Sequence, residues 1–177
     1  MARRSMSGSR RTALVAMLGA LSLVILYLAA LSPTGRLGIV ALAGLVPGAA
    51  VVSAGLGGGL LCYGVAGVLG LLLLPDKGLA LLYLIFFGLY PMVKSVAEGL
   101  ASRVLEWAVK LAFFNLALGL FWFVLGAVFL PLLPAVLSQA AWLAFLVGNG
   151  VFVAYDYGFS RLISFYMARI DRAVRER

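Results

Sequence analysis

YPMVKSVAEGLASRVLEWAVKLAFFN, residues 90–115, decides how the rest of the chain is read. Long apolar runs flank it on both sides, yet it holds Lys94, Glu98, Glu106 and Lys110. The two charges in each half lie four residues apart, so each pair shares one helix face. Between the halves, Gly99-Leu100-Ala101-Ser102-Arg103 suits a turn, with Gly99 and Ser102 as its favourable residues. A chain that reverses there sets Glu98 level with Glu106 and Lys94 level with Lys110, and opposite charges can meet diagonally. Charges in hydrocarbon persist when they are paired, near a surface or functional. Lys94, Glu98, Glu106 and Lys110 therefore read as an ion network locking two helices, or as a docking surface that a partner reorganises. Asp156 can join this network through either lysine, or pair locally with Arg161.

The composition outside this stretch explains why four charges matter. Of 177 residues, 64% are hydrophobic and 11% charged, where a soluble domain carries about a quarter. That balance predicts an all-α membrane protein, a compact bundle that crosses the membrane several times. The net charge of +8 gathers near the ends, at Arg3, Arg4, Arg10, Arg11, Arg161, Arg169, Arg172, Arg175 and Arg177. Basic ends on an apolar body read as topology signals and contacts with membrane lipid. There is no soluble basic domain to bind nucleic acid. Histidine is absent, which removes the commonest general base and metal ligand. The single Cys62 has no intrachain partner and reads as a small buried residue.

Working outward, residues 1–11 read as a basic disordered tail. Arg10-Arg11 before an apolar run faintly resembles a twin-arginine export signal, but residues 12–31 are too long for a signal core and more spans follow. They read as the first of six transmembrane helices. Leu37–Leu74 carries no charge and would be about 57 Å long as one helix, far beyond a hydrocarbon core of ~30 Å. It must break, and Pro47-Gly48 and the cluster Gly55-Leu56-Gly57-Gly58-Gly59 mark the place. The expected helices two and three are 37–50 and 56–74. Pro75-Asp76-Lys77-Gly78 is a turn signal, followed by helices 79–98, 104–130 and 139–160. The transmembrane domain thus covers 12–160, and 161–177 reads as a basic amphipathic tail at the headgroups. Six spans put both termini on one side. That side also receives the Lys94–Lys110 hairpin, whereas the other receives Arg36 and Lys77, so the termini are expected in the cytoplasm.

The residues do not suggest an enzyme. Asp171 and Glu176 are in the tail, Asp76 is in a Pro/Gly turn, and Glu98 and Glu106 each have a lysine one helical turn away. No cofactor or metal site is expected. On the outer side, Thr34, Arg36, Asp76, Lys77, Tyr83, Trp122, Gln139 and Trp142 converge, with Asn115 and Asn149 deeper. Aromatic residues at that level anchor at the interface, or line a cavity for a small molecule. Arg36, Asp76, Tyr83, Trp122 and Asn149 are the candidate ligand-binding set.

Six short helices in under 200 residues, cytoplasmic termini and an alanine-rich first helix after a basic start resemble the S-components of energy-coupling factor (ECF) vitamin transporters. Ala16-Met17-Leu18-Gly19-Ala20 matches the AxxxA spacing of that family's first helix, and Ala13 extends its small face. GLVPGAAVVSAGLGGGLLCYGVAG has the texture of its second and third helices. The resemblance implies a substrate-binding subunit that takes a vitamin or other micronutrient from outside. It implies docking through Ala13, Ala16 and Ala20 on a transmembrane coupling subunit that works with an ATPase pair. The rod-shape-determining membrane scaffolds are similar in architecture and imply an interaction protein without a transported ligand.

Overall fold

The computed structural model describes residues 8–130, 133 and 140–175, and every regular element among them is helical. The elements are α1 (Gly8–Leu31), α2 (Arg36–Leu73), α3 (Lys77–Leu82), a π-helical turn (Tyr83–Phe87) and α4 (Tyr90–Ala97). There follow α5 (Arg103–Gly119), a second π-helical turn (Leu120–Val124), α6 (Gly126–Phe129) and α7 (Ala141–Arg175). Four stretches are long and apolar enough to cross a membrane: Gly8–Leu31, Arg36–Leu73, Lys77–Ala97 and Arg103–Val124. Two compact units divide the chain, Met1–Ser95 and Val96–Arg177.

In the first unit the decisive residue is Gly55, with φ 71° and ψ 178° inside α2. An L side chain is strained there, so only glycine accepts the bend readily. The chain folds back on itself at this point. A methyl group placed on Gly59 would lie 3.3 Å from the carbonyl oxygen of Pro47, whereas twelve residues of straight helix would separate the two by about 18 Å. The limbs 36–54 and 56–73 are therefore antiparallel neighbours. Helix α1 packs on both. Its buried residues Val15, Gly19, Ser22, Leu26 and Ala29 alternate by four and three, which keeps them on one face. Arg11 donates to the carbonyl of Ala54, the last residue before the bend, where the negative end of the first limb's dipole favours a cation.

Small residues set the spacing in this unit. Val15, Val46, Ala50, Ala54 and Cys62 form a core against which Leu18 and Ile25 pack. Pro91 has no N–H to offer the carbonyl of Phe87, four residues back. The chain ahead of it opens into the π-turn, where the Gly88 N–H reaches the Tyr83 carbonyl at 2.7 Å. The backbone of Phe87 lies hard against Gly44, so close that an added methyl would sit 2.5 Å from its carbonyl oxygen. Such close approach is what small residues permit between apolar helices.

The second unit pairs α5 with α7 in antiparallel register. Lys110 meets Asp156, the rings of Phe114 and Phe152 stack at 4.7 Å, and Asn115 bonds Asn149. Gly148 faces Phe114 and Leu118.

Several sequence boundaries change. Residues 8–11, expected to be disordered, form the first turns of α1. Helices 37–50 and 56–74 become limbs meeting at Gly55, because Pro47 stays inside the first limb rather than ending it. The expected helix 104–130 stops at Val124, and Leu125 at φ −107°, ψ 24° separates it from α6. α7 runs unbroken past residue 160 to Arg175, so the described part of the tail continues the helix. The division into six transmembrane helices differs from the four long apolar stretches, since 36–73 counts among them once and α7 does not count. Gln139, the expected start of the last helix, lies outside the described residues.

Candidate functional site

Lys110 is the most completely buried charged residue described, 1% exposed. Its Nζ lies 2.6 Å from Glu106 Oε1, 3.2 Å from Glu98 Oε1 and 3.4 Å from Asp156 Oδ2. An ammonium has three N–H donors, and three carboxylates surround this one. The Trp107 ring adds a cation–π contact at 5.4 Å. Local sequence places the first partner: Glu106 is in the first turn of α5, where the helix dipole favours an acid, and it precedes Lys110 by four residues, the better order for such a pair. Glu98 reaches in from the turn before α5 and remains 46% exposed, whereas Asp156 on α7 is 7% exposed. The cluster thus grades from solvent into the helix pair. Arg161 does not turn to Asp156; it donates to the Tyr157 hydroxyl at 3.1 and 3.0 Å. Lys94, on α4 in the first unit, is buried.

One turn away, Asn115 and Asn149 exchange amide hydrogen bonds of 2.9 and 3.1 Å. Each also donates to a carbonyl on its own helix, Leu111 or Phe145. This pair fixes the register of α5 on α7. Asn115→Leu should cost about 1–3 kcal/mol, since it strands the Asn149 amide. The double change to leucine should cost less than the two single changes added together. Equilibrium unfolding of the four species in a double-mutant cycle checks this, and additivity would deny the pairing.

The candidate ligand residues fall in both units. In the first, Arg36 and Asp76 come together at 3.3 Å, and each also closes backbone. Arg36 Nε donates to the Ser32 carbonyl at 2.8 Å, and Asp76 accepts from the Gly78 N–H at 2.9 Å as the N-cap of α3. Lys77 caps the end of α2 through the carbonyls of Leu74 and Leu72. These charges bind the two connections at that end of the bundle. Tyr83 is fully buried beside Ser22, their hydroxyl oxygens 3.0 Å apart, while Ser22 also donates to the Ala43 carbonyl. In the second unit, Trp122 is half-buried within a π-turn and Asn149 is held by Asn115.

Ala13, Ala16 and Ala20 are exposed along α1, away from the Val15, Gly19 and Ser22 face that packs on α2. Sequence reasoning missed Ser22 and Arg11. A lone hydroxyl within an apolar helix was the available signal for the first; nothing local marked the partner of the second. Among the described residues, no group of three or more His, Cys, Asp and Glu is arranged to hold a metal ion. The chain has no significant match among protein-family models, curated proteins or solved structures.

Proposed function

We propose that the chain is a multi-pass integral membrane protein of the plasma membrane and the substrate-binding subunit of an ECF-type uptake transporter. It takes a vitamin or another micronutrient from the outer side and docks on a transmembrane coupling subunit served by an ATPase pair. In this reading there are six spans: α1, the two limbs of α2, Lys77–Ala97, Arg103–Val124 and the apolar part of α7. Both termini face the cytoplasm, in keeping with the basic residues at the chain ends. ATP hydrolysis belongs to the partners, and this chain catalyses no reaction.

The observation that carries the reading is the exposed alanine face of α1. Ala13, Ala16 and Ala20 are exposed, with the larger Met17 and Val24 beside them, and small residues at this spacing let a second helix approach closely in lipid. Ala16→Trp and Ala20→Trp place a large ring on this face without touching the core. Each should reduce recovery of the coupling subunit in a tagged pull-down by about tenfold or more, equivalent to ~1.4 kcal/mol. The unfolding midpoint should stay at the wild-type value. Recovery of coupling subunit and ATPases by both variants at wild-type level would remove the docking face.

A second reading, a small envelope scaffold without a transported ligand, is favoured by Glu98, which is engaged with Lys110 and yet half-exposed at a turn. Recovery of envelope-assembly proteins with no ATPase, lost on Glu98→Ala, would support it.

A further inference from the structure

The outward side of α7 carries alternating aromatic and guanidinium groups that the transport reading leaves unused. Tyr157, Arg161, Phe165 and Arg169 recur every four residues, and all four are exposed, the two rings by 62% and 63%. Arg161 lies over the Tyr157 ring at 5.4 Å and gives two hydrogen bonds to its hydroxyl. Of five guanidinium donors, three remain for an anion. Arg169 lies over the Phe165 ring at 5.5 Å. One and three turns earlier, the same side of the helix exposes Val153 and Leu146.

We propose that this ladder binds the phosphodiester headgroups of anionic membrane lipid, with Arg161 as the principal contact. The proposal rests on the reading of the apolar part of α7 as a span. With Leu146 and Val153 against acyl chains, Tyr157 falls at their boundary, where amphipathic rings settle. Arg161 lies one turn further, about 6 Å along the axis, inside a headgroup layer of about 5–7 Å. Arg169 is about 12 Å beyond Arg161, roughly one and a half screening lengths of ~8 Å at physiological salt. Its contribution is therefore the smaller one. The ring and hydroxyl of Tyr157 hold the Arg161 guanidinium in place, so little freedom is lost when a phosphate takes the remaining donors. Continuity of the ladder with an exposed apolar face favours a lipid surface over an acidic protein.

The test uses the full chain reconstituted in bilayer nanodiscs of equimolar phosphatidylglycerol and phosphatidylcholine. Lipids retained after release into mild detergent are counted by native mass spectrometry. Wild type should retain phosphatidylglycerol preferentially, and Arg161→Gln should lower that preference about fivefold. Arg169→Gln should lower it less, and Arg161→Lys should restore only part. All these side chains are exposed, so unfolding midpoints should match wild type. An unchanged preference in the double glutamine variant overturns the proposal. So does an unchanged preference accompanied by loss of a co-purifying acidic protein, which would make that protein the occupant. Failure of the chain to enter a bilayer would remove the membrane reading itself, and the lipid contact with it.

Discussion

Lys110→Ala is expected to destabilise the folded chain by about 3–5 kcal/mol, because it removes the buried cation that Glu98, Glu106 and Asp156 share. Glu98 can turn to solvent, being 46% exposed, but Asp156 at 7% has little such escape. The cost should accordingly fall mainly on the α5–α7 pairing. Two further variants separate charge from packing. Lys110→Met keeps most of the aliphatic stem and should be almost as destabilising. Adding Glu106→Gln and Asp156→Asn to Lys110→Met should recover much of the loss, since neutral amides are cheaper to bury than anions that have lost a shared cation. Equilibrium unfolding in mild detergent measures all three. A Lys110→Met variant as stable as wild type would show that the ammonium holds nothing together.

Gly44→Ala is expected to cost about 1–3 kcal/mol or more. The added methyl would meet the Phe87 carbonyl oxygen at 2.5 Å and its carbon at 2.8 Å. Both are backbone atoms, held by the π-turn that precedes Pro91, so no rotamer change relieves the clash. The first limb of α2 would have to move away from Lys77–Ala97 along its length. Gly57 is the internal comparison, for it lies on the same α2 with nothing within 4 Å of the corresponding position. Gly57→Ala should be neutral or stabilising by up to about 1 kcal/mol. Equal effects at both positions would mean that glycine at 44 is not there for close approach.

The helical class was legible from composition, and the break in Leu37–Leu74 from its length, since no uncharged helix that long fits a bilayer. The bend itself was less legible. Pro47-Gly48 and Gly55 were equal candidates by residue type, and the choice fell to packing, because Pro47 is buried within the first limb and its carbonyl faces Gly59. The π-turns left no local signature apart from Pro91. At the charged hairpin, spacing alone set Glu106 and Lys110 on one face. Which carboxylates surround Lys110 depended on the α5–α7 register, fixed by Phe114, Asn115, Asn149 and Phe152, and such long-range pairing has no trace in local spacing. The candidate ligand set was drawn from level in the membrane alone. Level cannot tell an amide facing a cavity from one tied to another amide, as Asn149 is to Asn115.

The bend at Gly55 borrows its charge from elsewhere in the chain. Ser53-Ala54-Gly55-Leu56-Gly57-Gly58-Gly59 contains no lysine or arginine, so the tip of this hairpin has no topogenic charge of its own. The cation beside it is Arg11, lent by α1 through the Ala54 carbonyl. The positive charge at the bend thus comes from a residue 43 positions earlier in the chain, and any change that shifts α1 along the hairpin also takes the charge away from its tip.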